Sequence, residues 1–219
     1  MRWKPLPLWL LLLTGNEAGS KVRIGIFGGT FDPIHVGHLA AAVNAKAGAN
    51  LDKVLMVVAN IPWQKEGLRR VHPANERLAL VKAAVSGVEG LEASDIEIRR
   101  GGESYTIDTV IDIQKHFSND ELFLIIGADV ASELETWERV DDLADLVTLV
   151  IVNRPGSANP GNLGDRWNYI EVEVPSLDIS STDLRARAIE GRPLDYLIPA
   201  AAIQYIREHN LYGPGEEPE

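Results

Sequence analysis

The sequence predicts a mostly parallel α/β sheet folded as one domain, and three observations carry that prediction. β-rich apolar runs alternate with segments of helical spacing along most of the chain. The first such run ends in a glycine pair and leads into a helix of small residues, the layout of a strand–turn–helix unit packed closely on a sheet. The 219 residues suffice for one sizeable core, and no internal repeat divides them.

The elements follow in order. Residues 22–27 (VRIGIF) read as a buried strand, and 37–47 as a helix of small residues. Residues 53–58 form a second strand, followed by a loop around Pro62. Residues 75–85 have helical spacing, with Leu78, Val81 and Val85 on one face and Asn75 as candidate N-cap. Strand signals recur at 92–98, 121–126 and 147–152, with a helix at 106–116 between the first two. Residues 153–165, crowded with Pro, Gly and Asn, read as a surface loop rather than a linker. A last strand at 168–174 and helices at 181–190 and 199–209 complete the domain.

That organisation sets a nucleotide-enzyme-like domain at 21–212, an N-terminal extension at 1–20 and an acidic, disordered tail at 213–219. The extension has basic and apolar parts like those of a signal peptide, but its apolar run is shorter than the roughly 20 residues a membrane span needs. A disordered extension or an upstream start is therefore the expectation. Composition narrows function further. Lysine plus arginine number 21 against 32 acidic residues, a net charge of −11, which argues against a nucleic-acid partner. A small anionic nucleotide remains admissible, because a few local donors offset an unfavourable global field. There is no cysteine, hence no disulfide, thiolate nucleophile or cysteine metal site, and a reducing, cytoplasmic setting fits.

The strongest chemical signal is the segment Gly28-Gly29-Thr30-Phe31-Asp32-Pro33-Ile34-His35-Val36-Gly37-His38, between the first strand and first helix. Ligands bind there in α/β folds. Two glycines let the backbone approach a ligand, Gly37 leaves space beside the imidazoles, and His35 and His38 both reach above a helix N-terminus that favours phosphate. A tight turn with a capping histidine is the plainer alternative; two imidazoles at this spacing favour the phosphate site. A second phosphate element is Ile179-Ser180-Ser181-Thr182-Asp183-Leu184-Arg185, where hydroxyls, amides and a guanidinium meet at one helix start. Alone it is a helix N-cap.

Together these motifs resemble a known family. The His35-x-Gly37-His38 signature is similar to that of the adenylyltransferase and cytidylyltransferase superfamily, and the longer Gly28–His35 string resembles bacterial nicotinate-nucleotide adenylyltransferases. The resemblance runs from about Lys21 to Tyr212. It implies a Rossmann-like, doubly wound parallel sheet with helices on both faces, and transfer of AMP from ATP to nicotinate mononucleotide with release of pyrophosphate. It implies that His35, His38 and Arg185 serve catalysis. ATP would be held by Gly28, Gly29, Thr30, Phe31, Gly37, Ser180, Ser181, Thr182, Gly127 and Asp129. Ser104-Tyr105-Thr106-Ile107-Asp108-Thr109 resembles a family element that would put Tyr105 and Thr106 at the mononucleotide, with exposed amides and the Thr106 hydroxyl holding the nicotinate carboxylate; the plainer alternative is a helix cap with a core tyrosine. Trp137 would stack on the pyridine ring, or is otherwise a partly buried aromatic. Lys65 and Arg154 are candidates for the mononucleotide phosphate, with surface solvation as the alternative; Trp63-Gln64-Lys65 departs from the family's Pro-His-Lys and leaves only the lysine charge. His72, His116 and His209 lack a partner pattern and read as structural or solvated. The expected cofactor is Mg²⁺ carried on ATP's phosphates, with no protein metal site and no membrane partner. Oligomeric state, a homo-oligomer included, stays open. Rival acceptors such as phosphopantetheine, and a non-catalytic nucleotide sensor, are the alternative functions.

Overall fold

A computed structural model describes residues 21–62, 71–153 and 163–213. Six strands form one sheet: β1 (Arg23–Gly29), β2 (Lys53–Val58), β3 (Leu91–Ser94), β4 (Glu121–Gly127), β5 (Thr148–Asn153) and β6 (Tyr169–Glu173). The helices between and after them are α1 (Val36–Gly48), α2 (Ala74–Val85), α3 (Ile96–Arg100), α4 (Thr106–His116), α5 (Ala128–Ala131), α6 (Val140–Leu146), α7 (Ser181–Ile189) and α8 (Ala200–His209).

The spatial order is β3-β2-β1-β4-β5-β6 and every adjacent pair is parallel, so the sheet is wholly rather than mostly parallel. Winding runs outward from β1 in one direction, then jumps to β4 and runs out in the other. That reversal leaves a crevice beyond the C-terminal ends of β1 and β4.

Both faces of the sheet are covered, which is why its strands are nearly continuous apolar runs. On one face α1, α2, α7 and α8 meet Met56, Phe123, Ile125 and Val150. On the other α4 and α6 meet Ile24, Ile26, Leu124 and Ile151. Residues of β4 alternate between the two cores, Phe123 and Ile125 to one and Leu122, Leu124 and Ile126 to the other. The small residues of α1 let it approach closely: Ala42 and Ala45 are buried, and Val172 of β6 packs against Gly48.

Three sequence expectations need correction. The strand at 92–98 is a strand only to Ser94, and Ile96 begins α3. Ile96 and Ile98 alternate as a strand would, but the ladder with β2 ends at Val57↔Ser94, and one helical turn buries Ile96 instead. Asn75 is not the cap of α2; Pro73 holds that position and Asn75 lies exposed inside the first turn. Finally, Gly28 and Gly29 belong to β1, pairing with Val57 and Val58, so the turn starts one step later than the glycine pair suggests. Among the described residues no helix is long and apolar enough to cross a membrane.

One buried cation ties the sheet's loops together. Arg77 of α2 is 1% exposed and donates to the carbonyls of Thr30, Asn60 and His72 at 2.7, 3.2 and 2.8 Å. Replacing it with methionine keeps the volume but strips those donors. Arg77→Met should lower unfolding free energy by about 3 kcal/mol or more, as read by urea titration.

Candidate active site

The segment leaving β1 builds the site. A side chain added at Gly28 would enter open space, whereas one at Gly29 would come within 2.7 Å of the Phe31 ring. Phe31 holds φ 50°, a conformation that a bulky residue adopts only where its surroundings force it. Its ring is 2% exposed and meets the His38 ring edge-on at 5.0 Å between centroids. The side chain of Phe31, a residue expected at ATP, faces the core and backs the His38 ring. After the cis Asp32–Pro33 peptide, His35 takes the N-cap position of α1.

The two imidazoles stack, with centroids 3.7 Å apart and planes 28° from parallel. The His35 backbone N–H donates to His38 Nδ1 at 3.3 Å. With Nδ1 accepting, the neutral His38 ring carries its proton on Nε2, so the ring presents a donor. Gly37 makes the stack feasible, since a methyl there would lie 3.0 Å from the His35 ring.

The distant hydroxyl turn arrives at the same place. Ser180 caps α7 by accepting from the Asp183 N–H at 3.1 Å. The Ser181 hydroxyl donates to the Pro33 carbonyl at 2.9 Å. Arg185 is buried, donating from Nη1 to the Asp32 carbonyl at 2.5 Å and from Nη2 to Thr182 Oγ1 at 2.9 Å. Its guanidinium is thus a clasp between two turns, a structural task the sequence reading did not give it.

Beneath the clasp lies a polar hub. The Asp32 carboxylate is buried, accepts the Tyr212 hydroxyl at 2.8 Å and faces His72 Nδ1 at 3.0 Å. His72 is structural here rather than solvated, its ring tilted over Tyr212 at 4.2 Å. Burial, and then the Asp32 charge, push the Tyr212 hydroxyl well above its ordinary value near 10.0. A raised value means the stabilisation is complete below about pH 10 and is lost as pH climbs past it. Tyr212→Phe should cost about 1–2 kcal/mol near neutrality and flatten the alkaline fall in stability, measured by urea titrations at pH 8 and 10.5.

Next to these turns, in the crevice between β1 and β4, is a cavity of about 250 Å³. Seven expected site residues line it: Gly28, Gly29, Thr30, Gly127, Tyr105, Thr106 and Trp137. Among the described residues no side chain caps the N-terminus of α4, where first-turn amides suit an anionic ligand. Tyr105 takes the N-cap position of α4 without capping it through its side chain, and its ring packs half-buried at the edge of the core; its hydroxyl donates to Glu103, and that bond, with partial burial and the Glu103 charge, raises its pKa. Asp129 does not line the cavity; it is exposed, with its carboxylate folded back over Gly127. His35, His38, Gly37, Ser180, Ser181, Thr182 and Arg185 form the neighbouring pair of turns. Lys65 and Arg154 lie outside the described residues.

The structure adds to the lining Glu97 and Glu138, which the sequence did not flag as functional, and Thr109, flagged only as the last residue of the Ser104–Thr109 element. Glu97 is 6% exposed and Thr109 2%, and the Thr109 hydroxyl donates to Glu97 Oε1 at 2.6 Å. The signal for Glu97 was a strand-like alternation that hid a helix. Among the described residues no group of three or more His, Asp or Glu side chains gathers to hold a metal.

A sheet that reverses direction at β1 and β4, with two phosphate-type turns beside a lined crevice, is the architecture of a nucleotide-binding α/β protein. The cytidylyltransferase-like family model matches residues 26–187, and the chain belongs to that family. A Corynebacterium kroppenstedtii protein is 43% identical over 196 residues, covering 88% of this chain and 92% of the relative. One from Desulfitobacterium hafniense is 42% identical over 205 residues, covering 90% and 99%. Both bear the name "probable nicotinate-nucleotide adenylyltransferase". Among solved structures, a Plasmodium falciparum nicotinic acid mononucleotide adenylyltransferase complexed with NaAD superposes with a TM-score of 0.70 at 19% identity, covering 87% of this chain and 97% of that one. That likeness establishes the shared fold.

Because the Gly29 position is filled by the Phe31 ring that backs His38, Gly29→Ala should displace the imidazole while the sheet stays folded. Turnover should fall on the order of 10²-fold, with an unchanged far-ultraviolet circular dichroism spectrum.

Proposed function

We infer that this chain transfers the adenylyl group of ATP to the phosphate of nicotinate mononucleotide, giving nicotinate adenine dinucleotide and pyrophosphate, a step of NAD biosynthesis. The observation that carries this reading is the strap from Ser181 and Arg185 to the carbonyls of Pro33 and Asp32, which sets both phosphate-type turns beside one aromatic-lined cavity. The curated relatives at about 40% identity, which this chain spans nearly end to end, support the same acceptor.

The chemistry asks little of the protein covalently. The acceptor phosphate is already ionised at neutral pH, so one of its oxygens attacks the α-phosphorus of ATP directly; the new P–O bond forms as the bond to pyrophosphate breaks. What the protein supplies is in-line positioning and stabilisation of migrating charge. His38, with its proton on Nε2, and His35 beside it donate to the α- and β-phosphate oxygens. Gly28 and Gly29 let the backbone approach the nucleotide, and the turn at Ser180, Ser181 and Thr182 receives the departing pyrophosphate. Arg185 keeps that turn against Asp32 and adds positive charge. Thr106 and the uncapped amides of α4 take the ring carboxylate, and Trp137 takes the ring face. Mg²⁺ arriving with ATP would be held chiefly by the nucleotide and water, and would supply positive charge against the phosphates as the bond to pyrophosphate breaks.

The purified chain, given ATP and Mg²⁺, should release pyrophosphate with nicotinate mononucleotide and far less with nicotinamide mononucleotide or phosphopantetheine. Equal turnover of phosphopantetheine would refute the assignment. His38→Ala should lower kcat by about 10²–10³-fold, the loss typical of one transition-state donor. Trp137→Ala should raise KM for the mononucleotide while leaving KM for ATP near its original value; an equal rise in both would remove Trp137 from the ring site.

A further inference from the structure

The cavity contains a charge for which the transfer mechanism has no use. Glu97, in the first turn of α3, is 6% exposed and lines the crevice. One carboxylate oxygen, Oε1, accepts the Thr109 hydroxyl at 2.6 Å. Thr109 Oγ1 in turn accepts from Arg100 Nη1 at 3.1 Å, and Arg100 is held by Asp112 at 3.2 Å. The other oxygen, Oε2, is buried without a hydrogen-bond partner among the described residues. A carboxylate oriented on one side and left bare on the other is costly unless a ligand completes it.

The rest of the lining says what kind of ligand. Among the described residues, the charged side chains lining the cavity are Glu97 and Glu138, both acidic; no lysine, arginine or histidine lines it. Trp137 adds an electron-rich aromatic face, and its buried Nε1 also lacks a partner among the described residues. Two carboxylates and an indole in a cavity of about 250 Å³ form a site for a flat cation. A pyridine whose nitrogen is bonded to ribose is such a cation, permanently charged whatever the pH.

We propose that Glu97 is a specificity-determining residue that reads the positive charge of the acceptor's pyridinium ring, with the Thr109–Arg100 chain keeping its carboxylate aimed into the cavity. This rests on the pyridine mononucleotide reading above. It adds that the cavity selects the oxidised, cationic ring over a neutral one of the same outline. The acidity also explains why a ring carboxylate needs the bare amides at the start of α4: nothing else among the described lining residues would offset its charge.

The test compares two probes that differ in ring charge: nicotinate mononucleotide and its 1,4-dihydropyridine form, which keeps the ribose, phosphate and carboxylate. Equilibrium dissociation constants are measured by calorimetry for the wild-type chain, Glu97→Gln and Glu97→Asp, with KM for ATP and the unfolding midpoint as controls. The wild-type chain should bind the cationic ring more tightly than the neutral one. Glu97→Gln should shrink that ratio by about 10- to 100-fold, the scale of one close charge pair at a partly screened site. Taking the ratio cancels any difference in stacking between the rings. Glu97→Asp, which restores the charge, should restore most of the ratio. Equal weakening of both probes by Glu97→Gln would overturn the proposal, pointing to a ribose contact or a packing role. So would loss of the ratio in Glu97→Asp. Absence of adenylyl transfer with either probe would instead fault the function reading, since the binding ratio is measured without turnover.

Discussion

The site depends on one strap. Residues near 32 and near 182 are far apart in the chain, yet the Ser181 hydroxyl donates to Pro33 across 148 positions and Arg185 to Asp32 across 153. The strap lies over a buried carboxylate, Asp32, whose own partners come from two further places, His72 before α2 and Tyr212 after α8. Arg77 extends the network by binding Thr30, at the start of the phosphate turn, and Asn60, whose backbone N–H donates to Ser104 on the far wall of the cavity. Buried polar networks of this kind fix geometry, because breaking any member leaves its partners unsatisfied in a medium of low dielectric. Catalysis by positioning requires that rigidity.

The net charge of −11 is not in conflict with two anionic substrates. Two helix starts, one carrying the imidazole pair and one the Ser180 turn, place donors beside the crevice, while Glu97 and Glu138 line the cavity itself. Within a few ångströms the local arrangement dominates, and more distant charges are screened by salt.

Much of this was legible in the sequence. Strict apolar runs at Lys53–Val58 and Glu121–Gly127, and the helical spacing of Thr106–His116, gave those elements to within a residue. The histidine pair stood out because glycine, a strand end and a helix start converge on it. What periodicity cannot encode is pairing between distant segments. Tyr212 meets Asp32 across 180 positions, and nothing local marks either as half of a pair. Glu97 was hidden for a different reason: Ile96 and Ile98 read equally as a strand or as one helical turn, and only the end of β2 decides between them. The side-chain directions of Phe31 and Asp129 carry no sequence signal either, being set by a positive φ in one case and a short helix in the other.

The most direct measurement is a crystal structure of the chain with a non-hydrolysable ATP analogue. The His38 imidazole and the Ser180–Thr182 turn should lie within hydrogen-bonding distance of the same triphosphate, the former at the α-phosphate and the latter at the far end. A triphosphate touching only one of those turns, or seated away from both, would contradict the account.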